Sequence, residues 1–157
     1  SSDLNLKDSG LIARPLGKLS VINCASPDYL TRFGYPETLD DLGSHALIHY
    51  SATLGTRPLG FEYFNGSATQ WIKTGGVLTV NSTETYQAAC IAGLGIIQVP
   101  RVGVRDALRT KKLVEILPQY RAEPMPVSLI YPHRRNLSRR VHVFMEWLTE
   151  LTKAYVD

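Results

Sequence analysis

Long apolar runs, cysteines and excess charge of either sign are all scarce in this sequence, and each shortage excludes something. No apolar stretch approaches the roughly 20 residues that a helix needs to cross a bilayer, so no membrane-spanning segment is expected. Cys24 and Cys90 are the only cysteines. They are too few for a disulfide framework and have no C-x-x-C neighbour, so they read as small buried thiols in a reducing compartment. Met125 and Met145 are the only methionines; residue 1 therefore reads as something other than the natural start, and a missing targeting signal carries little weight. The polar opening SSDLNLKDSG reads as loose. Lys and Arg outnumber Asp and Glu by 17 to 14, a net +3, too slight to argue for a nucleic-acid partner through its phosphates.

Patterns that carry chemistry are equally thin. The four histidines, His45, His49, His133 and His142, and the two cysteines include no paired-cysteine motif, and no metal and no cofactor are expected. There is no G-x-S-x-G elbow, and no catalytic residue is assigned. Gly93-Leu94-Gly95 follows a helix and precedes a strand, the reverse of a phosphate-cradling loop. The basic run from His133 to Arg140 lacks interleaved aromatics and precedes a helix start, so it reads as a solvated loop rather than a nucleic-acid patch. Asn65, Asn81 and Asn136 each open an N-x-S/T triplet, a pattern short enough to arise by coincidence.

What is present is a chain with 44% apolar residues, enough to bury a real core. Strands and helices alternate along it. Leu11–Ala13 and Leu19–Cys24 read as two strands, or one strand broken at Pro15 and Gly17. Ser26 caps a short helix with Pro27 at its first position, and Gly34 stops it. Pro36–Leu42 makes another helical turn and Ala46–Ser51 a buried strand. Alternating Leu59, Phe61 and Tyr63, the Asn65-Gly66 turn and Thr69–Lys73 form a hairpin. Val77–Val80 is a strand, followed by a helix opened by an Asn81 and Glu84 capping box, with Tyr86, Ala89, Cys90 and Gly93 on one face. Gly93 and Gly95 close that helix through the left-handed conformation. Ile96–Pro100, Leu113–Leu117 and Val127–Tyr131 are strands and Val102–Thr110 is helical. A final helix capped by Ser138 carries Val141, Phe144, Leu148, Leu151 and Tyr155 on an apolar face that needs covering. The class is α/β.

Several stretches, in order, resemble the effector-binding domain of LysR-type transcriptional regulators. They are Ala13-Arg14-Pro15-Leu16, Cys24-Ala25-Ser26-Pro27-Asp28-Tyr29-Leu30, Gly34-Tyr35-Pro36, Leu39-Asp40-Asp41-Leu42, His45-Ala46-Leu47-Ile48, Ala88 to Pro100, Leu113–Leu117, and Pro126-Val127 with Tyr131-Pro132. The resemblance implies a two-lobed α/β fold like a type II periplasmic binding protein, with the second lobe complete and the first partial. Residues 1–23 would be a first-lobe fragment leading into the hinge, 24–126 the second lobe, and 127–157 the return strand and closing helix of the first. A small-molecule effector would be held between the lobes. The resemblance further implies a cytoplasmic homo-oligomer, dimer or tetramer, that touches DNA only through an N-terminal helix-turn-helix not present in this chain.

The candidate effector-binding residues follow from both lines. A polar helix start directly after a strand places Asn81 and Ser82 at a cleft edge suited to a small, often anionic, ligand. In the family the strand end matching His49-Tyr50-Ser51 lines the cleft, and Ser26 contacts a ligand or serves as a helix cap alone. Ile97, Gln98 and Val99 would form the opposing wall. Gln98 is the one polar side chain in an apolar strand, held there for a ligand or for a structural hydrogen bond. The expected function is ligand sensing and oligomerisation in a transcription regulator, without catalysis. The alternative is a fragment of a solute-binding protein or small α/β enzyme.

Overall fold

The structure, a computed structural model, describes residues 4–6, 10–53, 55–132 and 137–156. Much of the polar opening, residues 133–136 of the basic run, and with them the Asn136 triplet, lie outside the described residues. In chain order the strands are β1 (Leu4–Leu6), β2 (Leu11–Leu19), β3 (Val21–Ala25), β4 (Ala46–Tyr50), β5 (Phe61–Phe64), β6 (Thr69–Ile72), β7 (Gly75–Val80), β8 (Ile97–Pro100), β9 (Val114–Ile116) and β10 (Met125–Pro132). The α-helices are α1 (Pro27–Phe33), α2 (Thr83–Ile91), α3 (Arg105–Arg109) and α4 (Arg139–Thr152). They divide between two compact units, Val21–Glu123 and the flanking segments before and after it.

In the flanking unit, β2 lies between β1 and β10 in an antiparallel sheet. It runs unbroken through Pro15 and Gly17, where the sequence suggested a break. The pairing steps from Val127 opposite Gly17 to Ser128 opposite Pro15, leaving Leu16 as the extra residue of a bulge, the setting in which a sheet tolerates a proline. The Ser138 hydroxyl caps α4 by accepting from the Val141 N–H at 3.4 Å. The helix buries Met145, whereas Val141, Phe144, Leu151 and Tyr155 of the expected apolar face are 40%, 56%, 46% and 48% exposed, as is the neighbouring Trp147 at 56%. Most of the apolar face expected to be covered is thus open, with the Phe144 and Trp147 rings 5.8 Å apart on it.

The Val21–Glu123 unit is built on β3, paired antiparallel with β8 and β9. Strands β4 and β7 pair in parallel, and a bridge from Leu47 to Ile96 joins β4 to the segment entering β8. The period-2 alternation of strands sends neighbours to opposite faces. Ile22, Cys24, Ile48, Ile97 and Val99 pack with Tyr86, Ala89 and Cys90 of α2. Leu47, Ile96 and Ile116 pack with Tyr29 and Leu30 of α1 and with Phe61 of β5. Ile97 and Val99, expected on a ligand wall, are therefore core residues, 0% and 4% exposed.

Local details refine the sequence reading. Ser26 caps α1, its hydroxyl accepting from the Tyr29 N–H at 3.2 Å, and Gly34 ends it at φ +82. The helical turn expected at Pro36–Leu42 is a 3-10 turn at Asp40–Ser44. Helix α2 is capped by Ser82, which accepts from the Thr85 N–H, not by the Asn81 and Glu84 box. Gly93 takes the left-handed conformation at φ +83. Gly95 has a different reason: a Cβ there would lie 2.6 Å from the Ala46 carbonyl oxygen, so it permits close approach of two backbones. Val102–Thr110 splits into a 3-10 turn at Arg101–Val104 and α3. The hairpin forms as expected, with Asn65 Oδ1 accepting from the Ser67 and Ala68 N–H groups.

Candidate functional site

At the C-terminal end of β4 a cavity of about 390 Å³ opens within the Val21–Glu123 unit. His49, Tyr50 and Ser51 bring β4 to it, Thr56 to Gly60 form one wall, Glu62 and Trp71 come from the hairpin, and Tyr86 and Gln98 complete it. Strand ends in α/β folds form such clefts because the chain turns away there and leaves a crevice between loops.

Gln98 is central to the floor. Its Oε1 accepts from the Glu62 N–H at 2.9 Å, and its Nε2 donates to the Glu62 carbonyl at 2.7 Å and to Asn23 Oδ1 at 2.8 Å. The two-point clasp fastens β5 to β8. Asn23, directly across the β3–β8 pair from Gln98 and 0% exposed, uses its amide N–H groups on the carbonyls of Leu117 at 3.2 Å and Tyr120 at 2.9 Å. The Gln98 backbone N–H donates to Tyr86 Oη at 3.0 Å. Burial pushes the Tyr86 pKa up to about 12, so its phenol keeps a proton to offer on the cavity wall.

The rim is organised by hydroxyls. Ser51 Oγ donates to the Thr53 carbonyl at 2.6 Å and lies 2.8 Å from Thr56 Oγ1, which donates to the same carbonyl at 2.9 Å. The Ser51 N–H donates to the Val80 carbonyl, fixing the turn after β4. Gly60 enters β5 at φ +111, where a Cβ would meet the Ile72 carbonyl oxygen at 2.1 Å; only glycine fits. The Tyr50 ring tilts against Tyr86 at 5.6 Å. Burial lowers the His49 pKa below its ordinary 6.5, so His49 is neutral at pH 7 and can both donate and accept.

Of the residues singled out in the sequence, the cavity brings together His49, Tyr50, Ser51 and Gln98. Ser26 is buried as the cap of α1, Asn81 is exposed, Ser82 caps α2, and neither lines this cavity. Sequence reasoning missed Arg57, Glu62, Trp71 and Tyr86, and the supporting Asn23. Asn23 carries the signal that flagged Gln98, a polar residue inside the apolar run Val21-Ile22-Asn23-Cys24. Glu62 and Trp71 follow from hairpin alternation once Phe61 is placed in the core. Among the described residues there is no cluster of His, Cys, Asp and Glu able to hold a metal, and no helix is long and apolar enough to cross a membrane.

Comparison with known proteins agrees with this architecture. Residues 2–153 match the LysR substrate binding domain, and the chain belongs to that family of transcriptional regulators. It is 60% identical over 152 residues to an uncharacterized HTH-type transcriptional regulator of Escherichia coli, YhjC, covering 97% of this chain and 51% of that protein. It is 34% identical over 147 residues to the E. coli transcriptional activator AaeR, covering 92% of this chain and 46% of that one. The chain thus spans about half the length of the curated relatives it matches. Among solved structures, the regulatory domain of AphB from Vibrio vulnificus superposes with a TM-score of 0.71 at 28% identity, covering 91% of this chain and 70% of that one. The regulatory domain of CrgA from Neisseria meningitidis shares the fold, with a TM-score of 0.77 at 24% identity over 94% of this chain and 72% of that one. The fold is the type II periplasmic-binding-protein-like α/β fold of LysR regulatory domains.

Proposed function

We propose that the cavity at the end of β4 is where this regulatory domain senses a small-molecule effector, and that the domain performs no catalysis. The observation that carries this is the division of labour on the cavity wall. Gln98 and Asn23 satisfy one another and the backbone, making a rigid floor, while Tyr50, Trp71 and the 56–60 loop stay open to a ligand. The amide mesh runs from the cavity to Asn23, two residues after the chain enters this unit, and to Leu117 and Tyr120, just before it leaves. Occupancy can thereby bias the two segments through which the chain passes between its units, a population shift driven by the ligand's differential affinity for two arrangements. Ser26 and Ser82 belong to this proposal only as helix caps that hold α1 and α2 in place, and Asn81, exposed beside the second cap, has no part in it.

In this reading the regulator works in the cytoplasm as a homo-oligomer and reads DNA through a helix-turn-helix outside the 157 residues. The HTH-type naming of its relatives supports that arrangement. The test is a thermal-shift screen of small metabolites on the full-length regulator. A ligand at a hundred times its Kd adds about 2.7 kcal/mol to apparent stability, and its effect should vanish in a Thr56→Trp variant that fills the cavity. A ligand that stabilises the Thr56→Trp variant equally well binds elsewhere and refutes the site.

A further inference from the structure

Two opposite charges stand unpaired on the cavity wall. Arg57, on the loop after β4, and Glu62, on β5, both line it. Neither side chain makes an ion pair or hydrogen bond with the other or with any described residue. Elsewhere in this unit arginines find partners, as Arg101 and Arg121 do on Glu115. The hairpin register explains how Glu62 reaches the cavity. Glu62 pairs across the strands with Trp71, so the two share a face, while the Phe61 and Ile72 pair turns to the core. Trp71 is 49% and Tyr50 48% exposed, leaving two aromatic surfaces open on the same cavity. His49 is neutral at pH 7, so the lining carries one positive and one negative charge.

A ligand that enters strips water from both groups. One bearing only a carboxylate would pair with Arg57 but bring a second negative charge into a cavity that holds Glu62, and one bearing only an ammonium would do the reverse against Arg57. Like charges brought together as water leaves are penalised heavily, whereas a ligand carrying both charges offsets both desolvation costs. Open aromatic faces favour a planar ring, which they can stack against at low entropic cost. We propose that the cavity selects a small zwitterion with a planar ring, its carboxylate on Arg57, its ammonium on Glu62 and its ring against Tyr50 and Trp71. This rests on the cavity being the effector site. A volume of about 390 Å³ accommodates a single-ring amino acid with room for ordered water.

Three probes sharing one ring separate the charges: L-phenylalanine, 3-phenylpropanoate and 2-phenylethylamine, each titrated calorimetrically into the full-length regulator. L-phenylalanine should bind at least about tenfold more tightly than either singly charged analogue. Arg57→Gln should weaken L-phenylalanine and 3-phenylpropanoate and tighten 2-phenylethylamine, and Glu62→Gln should weaken L-phenylalanine and 2-phenylethylamine and tighten 3-phenylpropanoate. If 3-phenylpropanoate binds as tightly as L-phenylalanine and ignores Glu62→Gln, or if none of the three binds, the zwitterion is refuted. The Thr56→Trp variant then judges the site itself. Loss of condition-dependent promoter output with DNA affinity and melting temperature intact keeps the cavity as the sensor for another ligand class, while unchanged regulation removes both proposals.

Discussion

His45 illustrates how a single buried residue sets a pH limit. The Ala46 N–H donates to Tyr29 Oη at 2.9 Å, and His45 Nδ1, also 2.9 Å from that oxygen, takes the Tyr29 proton in the tautomer that leaves Nδ1 bare. That nitrogen must be unprotonated to accept. Burial lowers the His45 pKa, partly opposed by Asp41, and the folded state therefore favours the neutral ring. The stability this represents is present above the unfolded pKa of 6.5 and is lost as pH falls from there through the lower folded pKa. His45→Gln, which keeps an acceptor without a titrating group, should flatten the fall in melting temperature on acidification below pH 6.5. An unchanged pH profile would remove His45 as the cause. The two thiols are just as constrained. Burial pushes the Cys24 pKa up to about 12 and raises that of Cys90 as well, and the thiolate is the reactive form. A thiol-specific reagent should therefore label neither cysteine in the native domain and both after denaturation. The sequence already pointed to buried thiols, but the Tyr29 and His45 pair was invisible in it, because residues 16 apart meet only through the packing of α1 against β4.

Among elements, the hairpin of β5 and β6 depends on the Gln98 clasp. Gln98→Ala removes three side-chain hydrogen bonds and leaves Asn23 Oδ1 unpaired at a fully buried position. It should cost about 2 to 4 kcal/mol in chemical denaturation, because uncompensated buried polar groups lose their water without regaining a partner. The sequence presented Gln98 as a choice between ligand contact and structural bond. The geometry commits its side chain to the structural bond while leaving it on the cavity floor. Gly60→Ala should likewise destabilise the domain by at least about 2 kcal/mol, since φ +111 and the Ile72 carbonyl both exclude a Cβ. Helix and strand assignments were legible because apolar periodicity is a local signal. The 56–60 wall was not, because its path is set by Ser51, Thr56 and the Gly60 constraint rather than by any repeat.

Over the whole molecule, the α4 surface governs handling. Val143, Phe144 and Trp147 form an exposed apolar patch beside Arg139 and Arg140, the kind of surface that drives association in water. Phe144→Glu combined with Trp147→Glu should lower concentration-dependent light scattering of the 157-residue chain without lowering its melting temperature, since both side chains already face solvent. A drop in melting temperature would instead place them in a packed interface. The amphipathic spacing of α4 was plain in the sequence, but which of its residues would be buried was not, because that depends on the surface presented by β2 and β10.

The Gln98 clasp has a final implication for how such a domain can change what it responds to. A floor whose every amide is engaged cannot be edited without loosening the scaffold, whereas Arg57, Pro58, Leu59 and Trp71 are engaged by little else and can be exchanged at small cost. Under the proposed sensing role, retuning toward a new metabolite would proceed by swapping the collar of the cavity over an unaltered base, and a library confined to those four positions should yield altered responses with few misfolded members.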